Sequence, residues 1–428
     1  MNLNHQEEIQ AYLNQVCAQV KFREVHKEIR KELESHIQEI VQEYSAQGFS
    51  EEEAVAKALA QMGVADIVGK QLNKVHRPRP AWSVLVLSLL FINTGLLAMY
   101  FIQKQGLLTY DIPIFAKSLH YSFISLIFIA GLYFFDYRKL EGYAKHIYLG
   151  TFFLLFFTVF QGIQVNGSKC WLSLGPFTVN VVTITPLFFS IALAGLFNKW
   201  DWHNPLKLLQ GFLILAGPLF LILTAPSIAT GVIYAATCLV IMIVSGAGIK
   251  AIGLIWTPLA AMLILPVITA PYRLVRLLTF FNPAADPLGN GYLSLQLRKI
   301  ISESGLFGQG LTFHSRVLPD LHTDFIFAFI TYTFGWLASS LLIIFIVIFL
   351  IRAASVARQV KLGYGKLLTS SFVTILAVQF LWNIGMNLGL TPISDVGLPF
   401  ISYGGSQLIF NVVAVGMISG IYRQKTLA

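Results

Sequence analysis

Ten runs of about twenty apolar residues, almost free of charge, occupy most of the chain beyond residue 81 and limit what it can fold into. They cover 82–103, 113–135, 146–166, 178–197, 207–225, 227–246, 249–270, 324–351, 367–391 and 400–422. A helix needs about 20 apolar residues to cross the hydrocarbon core of a bilayer. Across the 428 residues only 12% are charged and 56% are hydrophobic, whereas soluble domains carry about 25% charged residues. The expected fold is an all-α polytopic membrane protein of about ten transmembrane helices, with a large extracellular loop between the seventh and the eighth. The opening MNLNHQEEIQ is polar and acidic, so no cleavable signal peptide is expected. Cys17, Cys170 and Cys238 are too scattered for a disulfide framework or a metal cluster.

Residues 1–78 read as a separate cytoplasmic helical domain and 79–428 as the transmembrane domain. REVHKEIRKELESHIQEIVQEY alternates apolar and charged faces at helical spacing. SEEEAVAKALAQMG opens with a capping box from Ser50 to Glu53 and closes on Gly63. HRPRPAW, with Pro78 and Pro80, links the two. Twelve of the 21 acids lie in the first eighty residues with ten of the 30 basic residues, leaving nine acids and twenty bases for the rest. That basic excess favours an anionic partner such as lipid headgroups or a phosphorylated substrate.

Charge also orients the spans. Arg138, Lys139, Lys145, Lys199, Lys250, Arg352, Arg358, Lys361, Lys366, Arg423 and Lys425 all fall on the side of the N-terminus, which places both termini in the cytoplasm. The opposite side is sparsely charged except for segment 271–323, which holds Arg273, Arg276, Arg298, Lys299 and Arg316. Asp286, Glu303, Asp320 and Asp324 gather there too. The spans offer no midplane carboxylates and no paired, Gly/Pro-broken helices in repeated halves, which argues against ion-coupled transport.

NPAADPLGNGY, LFGQGL, LPDLHTDFIFAFI and TPISDVGLPFISYGGSQLI resemble, in order and spacing, the signature stretches of the SEDS family, the FtsW/RodA/SpoVE group of shape, elongation, division and sporulation proteins. The resemblance covers roughly 82–425. It implies a membrane glycosyltransferase that polymerises lipid II into peptidoglycan strands, releases undecaprenyl pyrophosphate, and works beside a class B penicillin-binding protein. A further cytoplasmic partner is expected for the N-terminal domain, and nucleic acid is not among the partners. It also implies that activity depends on the aspartate of His-Thr-Asp-Phe, here Asp324, with the catalytic loop outside a bacterial cytoplasmic membrane.

Glycosyl transfer from a pyrophosphate donor needs a base, a clamp for the leaving group and a pocket for the lipid. A carboxylate half in apolar surroundings, beside Phe325, Ile326 and Phe327, becomes a better base. Asp324 could instead hold a divalent cation, Mg or Mn, or simply cap its helix. No other cofactor is expected. Arg273 and Arg276, at i, i+3, with Lys117 and Lys169 are candidates to face the two phosphates. Trp171, Gln296, His322, Thr323, Ser402 and Ser406 complete the candidate substrate-binding set. The Tyr403–Ser406 stretch serves close helix packing equally well, and DPLGNGY reads as a loop-shaping turn.

Three stretches depart from the family pattern. Cys170 stands where arginine is usual, NVVT (Asn180–Thr183) lacks a glutamate, and Ser227 occupies a position where an acid is expected. The lost acids and the added N-terminal domain motivate one alternative, a catalytically weak paralogue acting as scaffold or regulator of wall synthesis; a second, a lipid II flippase, follows from the resemblance, although the uncharged spans offer little for a polar path across the bilayer.

Overall fold

The computed structural model describes residues 3–75, 80–107, 112–165, 168–175, 177–311, 318–361 and 363–424. Arg316, Lys425 and the Pro78 linker lie outside the described residues. The chain separates into two compact units, the main parts of which are Met1–Pro80 and Ala81–Tyr422.

The N-terminal unit holds α1 (Leu3–Gln19), α2 (His26–Ala46), α3 (Glu51–Met62) and α4 (Ala65–Val75). Their apolar stripes meet in a core that includes Leu13, Val16, Val25, Ile37 and Val55, each fully buried. The expected capping box is present: the Glu53 N–H donates to Ser50 Oγ, and the Ser50 N–H donates back to Glu53 Oε2 at 3.1 Å. Gly63 ends α3 at φ 87°.

The second unit runs through α5 (Trp82–Lys104), α6 (Ile114–Phe134), α7 (Arg138–Gly142) and α8 (Ala144–Gln161). A small antiparallel sheet follows, in the order β1 (Ile163–Val165), β2 (Ser168–Leu174), β3 (Phe177–Asn180). Next come α9 (Val181–Phe197), α10 (Pro205–Thr224), α11 (Ile228–Val244), α12 (Ile249–Thr269), α13 (Pro271–Phe281) and α14 (Tyr292–Glu303). The last three are α15 (Ile326–Gln359), α16 (Tyr364–Asn387) and α17 (Gly405–Arg423).

Eight of the described helices, α5, α6, α8, α10, α12, α15, α16 and α17, are long and apolar enough to cross a membrane. The two others that match apolar runs, α9 and α11, have 17 residues each. At about 1.5 Å per residue they fall short of a 30 Å core. Their residues are largely buried, from Val181 to Ala194 in α9 and Ala229 to Met242 in α11. They pack against protein rather than lipid, and protein neighbours remove the need for a full apolar span.

The sheet shortens the third and fourth spans relative to the sequence reading. Ile163–Val165 and Phe177–Asn180 are apolar enough to extend a hydropathy run, yet they pair with β2 as strands. Asn180 then caps α9, its side chain accepting from the Thr183 N–H at 3.2 Å. The NVVT stretch therefore has a structural role as a helix start.

The largest departure is in α15, which is not one continuous span. Gly335 sits at φ 84°, ψ 173° and breaks it into a short first part and a long second part. Segment 305–310 fills the break. The N–H groups of Gln309 and Gly310 donate to the carbonyls of Tyr332 and Thr333, at 2.8 and 3.2 Å. The Trp336 and Leu337 N–H groups donate to Gly305 and Leu306, at 3.0 and 3.1 Å. Four backbone groups released by the break thus find partners in this segment, as low-polarity surroundings demand. A Cβ on Gly335 would run into the Gly308 backbone nitrogen. We expect Gly335→Ala to lose at least about 1–2 kcal/mol from the left-handed conformation alone, with the collision added. A melting temperature in detergent equal to that of the wild type would refute this.

Candidate functional site

The segment from Asp320 to Phe325 is a tight turn leading into α15. Asp320 has φ 54°, and its carbonyl accepts from the Thr323 and Asp324 N–H groups, both at 3.0 Å. The main-chain carbonyls of His322, Thr323 and Asp324 are also held. The His322 carbonyl accepts from the Tyr403 N–H at 2.8 Å. The Thr323 carbonyl accepts from Ser402 Oγ at 2.6 Å. The Asp324 carbonyl accepts from Asn383 Nδ2 at 3.0 Å and Asn387 Nδ2 at 3.1 Å. The donors come from α16 and from the loop between α16 and α17.

These same donors fix that loop. Asn383 Nδ2 also donates to the Val396 carbonyl at 2.7 Å, and Ser402 Oγ accepts from the Leu398 N–H at 2.7 Å. The Ser402 hydroxyl is therefore engaged on both sides by backbone. Below it, Phe400 holds φ 66° within a set of rings formed with Phe91, Phe349 and Phe380, whose centroids lie 5.9–6.3 Å from its own.

With the main chain tied down, the Asp324 carboxylate forms no hydrogen bond or ion pair among the described residues. It is half-buried at the surface of the fold. Burial, then the charges of Asp395 and Asp320, raise its pKa well above the ordinary carboxylate range. The neighbouring His322 is shifted the other way, down by burial against an opposing pull from Asp320; its ring lies 5.4 Å from that of Tyr403. A deprotonated Asp324 in this setting is a strong base whose lone pairs are free to accept a proton.

Asp395 was passed over in the sequence reading, although it belongs to a quoted motif and is one of only nine acids beyond the N-terminal unit. Span counting alone puts the α16–α17 loop on the same face as Asp324, and that signal was available. Burial raises the Asp395 pKa, while its own backbone N–H and Arg276 oppose the rise. Cys170, in β2, is buried with its Sγ 3.4 Å from the Ala225 carbonyl. Burial and the charge of Asp395 push its thiol up to about 12, so at neutral pH it is uncharged.

The other expected residues divide. Arg276 is exposed on α13 and acts on Asp395, whereas Arg273 turns back: its Nε donates to Tyr272 Oη at 2.7 Å and its Nη1 to the Pro266 carbonyl at 3.3 Å. Lys169 is exposed on β2 with Nζ 3.4 Å from the Phe160 carbonyl. Lys117 is exposed on α6, Trp171 is half-buried on β2 opposite Asn180, Gln296 is half-buried on α14, and Ser406 lies in the first turn of α17. No hydrogen bond joins Lys117, Gln296 or Ser406 to the Asp324 segment among the described residues. Gly405 packs against the Tyr121 ring, where a Cβ would approach to 2.5 Å, so the Tyr403–Ser406 stretch does allow close helix approach. Asp286 shapes its loop by accepting from the Gly289 and Asn290 N–H groups at 3.1 and 2.8 Å. Among the described residues no three His, Cys, Asp or Glu side chains converge as a metal site requires.

Replacing Asn383 by leucine strips donors from the Asp324 and Val396 carbonyls together. Leaving a buried acceptor unpaired costs about 1–3 kcal/mol, so Asn383→Leu is expected to melt several degrees below the wild type. An unchanged melt would show that the clamp is dispensable.

Comparison with known proteins agrees with this layout. The FtsW/RodA/SpoVE profile, described as "Cell cycle protein", matches residues 81–427. Stage V sporulation protein E of Bacillus subtilis is 30% identical over 372 residues, covering 80% of this chain and 97% of that protein. Peptidoglycan glycosyltransferase MrdB of Escherichia coli K12 is 28% identical over 299 residues, 68% of this chain and 80% of that one. The fold matches a solved chain reported under "Structural coordination of polymerization and crosslinking by a peptidoglycan synthase complex", with TM-score 0.68 at 23% identity, covering 81% of this chain and 98% of that one. The chain is a multi-pass membrane protein of the SEDS (FtsW/RodA/SpoVE) peptidoglycan glycosyltransferase family.

Proposed function

We propose that the protein polymerises lipid II into glycan strands, with Asp324 as the general base. The observation that carries this reading is the Asp324 carboxylate itself: its main chain is held from α16 and the α16–α17 loop, while the side chain is left without a partner. An acceptor sugar hydroxyl gives its proton to Asp324 as its oxygen attacks C1 of the donor sugar. The bond from C1 to the pyrophosphate oxygen breaks, and undecaprenyl pyrophosphate leaves with the electron pair. Arg276, exposed and free of the contacts that hold Arg273, is the cation best placed to face the departing phosphates. Fixed charge facing a developing anion is typically a large catalytic term.

The positive-inside rule supports assigning both termini to the cytoplasm and the Asp324 face to the outside, where lipid-linked precursors are consumed. A class B penicillin-binding protein is the expected partner. The related synthase complex couples polymerisation to crosslinking, as its description states. The N-terminal helices suit control or localisation through a cytoplasmic partner.

Asp324→Ala is expected to abolish strand formation from lipid II by the purified full-length protein with its partner. The sign of the pH dependence follows from the base role. Asp324 must be ionised to act, so the rate is present above its raised pKa and lost as pH falls through it. The midpoint should lie above the ordinary aspartate value of about 3.9. Strands of equal length and yield from wild type and Asp324→Ala would remove Asp324 from the mechanism.

A further inference from the structure

We propose that Asp395 is a second functional carboxylate of this site, a positioning residue whose negative charge acts through Asp324. The inference rests on reading Asp324 as the base.

Geometry brings the two together. One amide nitrogen, Asn383 Nδ2, donates both to the Asp324 carbonyl at 3.0 Å and to the Val396 carbonyl at 2.7 Å. The residue after Asp395 and Asp324 itself are thus held by a single atom. From Val396 to Phe400 the loop is buried, so the position of Asp395 is fixed from behind. Its side chain is exposed to solvent.

The ordinary role of an aspartate in such a loop is to cap a turn. Asp395 does not do this for the turn that follows, because the Leu398 N–H goes to Ser402 Oγ and the Ile401 and Ser402 N–H groups go to the Leu398 carbonyl. Its side chain meets only its own N–H among described backbone donors. The carboxylate is therefore available for charge effects on its neighbours.

Cys170, held against Ala225, also lies within the field of Asp395.

The titratable and charged groups around the pair are few. Asp320 and His322 belong to the Asp324 segment itself, Tyr403 lies against the His322 ring, Cys170 comes from β2, Arg276 of α13 acts on Asp395, and Arg298 of α14 lies against the α16–α17 loop at Gly389. From α16 come only the neutral amides of Asn383 and Asn387. Two neighbouring carboxylates resist simultaneous ionisation. The charge of Asp395 therefore increases the proton affinity of Asp324.

The test uses the full-length chain in detergent as wild type, Asp395→Asn, Asp395→Glu and Asp324→Asn. The protonated carboxyl C=O band is titrated by infrared spectroscopy, with the Asp324 component identified by its loss in Asp324→Asn. The rate with lipid II is then followed against pH. We expect the Asp324 band to titrate at lower pH in Asp395→Asn and to return towards wild type in Asp395→Glu. The acid limb of the rate should shift in the same direction. An Asp324 band that titrates identically in wild type and Asp395→Asn overturns the inference. So does an Asp395→Glu protein that behaves as Asp395→Asn, because shape rather than charge would then matter. The infrared readout needs no turnover. A wild type inert on lipid II with a shifted band would sink the glycosyltransferase reading alone, and an active enzyme with an unshifted band would sink only the role of Asp395.

Discussion

The site depends on one amide group. Asn383 of α16 grips the Asp324 carbonyl and the Val396 carbonyl at once, so the turn that carries the acid and the loop opposite it cannot move apart independently. Ser402 repeats the device one residue along, bridging Thr323 and Leu398. Buried backbone acceptors far from water must be paired, and here the pairing also sets the geometry. Beneath the loop, the rings of Phe91, Phe349 and Phe380 surround Phe400 and hold it in a backbone conformation that a bulky residue seldom adopts. Packing, strain and hydrogen bonding all converge on keeping Asp324 where it is.

The broken helix serves the same end from the other side. The first part of α15, Ile326–Ile330, is buried throughout, and the break at Gly335 lets this part take its own direction. Segment 305–310 supplies the lost hydrogen bonds, which ties the long loop between α12 and α15 to the site-bearing helix. That loop is therefore a structural support of the helix that follows Asp324.

The bilayer-scale features were legible because hydrophobicity has a length scale: ten apolar runs correspond to ten helices, eight of them full-length spans. What sequence could not resolve was the state of an apolar residue. Ile163–Val165 and Phe177–Asn180 count equally well towards helix or strand, and only pairing with β2 decides. Gly335 carries no proline or second glycine to announce a break; its role appears only through Gly308 across from it. For the site, the His-Thr-Asp motif pointed directly to Asp324, but Asp395 stood in a Pro/Gly-rich loop where an acid reads as a turn former. The departures at Asn180 and Cys170, unexplained in sequence, have local causes: one caps α9, and the other is a buried neutral thiol.

Chemistry and fold meet in one asymmetry, since the carbonyls of His322, Thr323 and Asp324 are all paired and the Asp324 carboxylate is not. A side chain held that way should take part in the reaction more than in substrate recognition. The most direct measurement is lipid II affinity and turnover of Asp324→Asn on the same preparation, because the amide keeps the shape and removes the basicity. The account predicts wild-type affinity with turnover lost. Affinity and turnover lost together, or turnover retained, would contradict it.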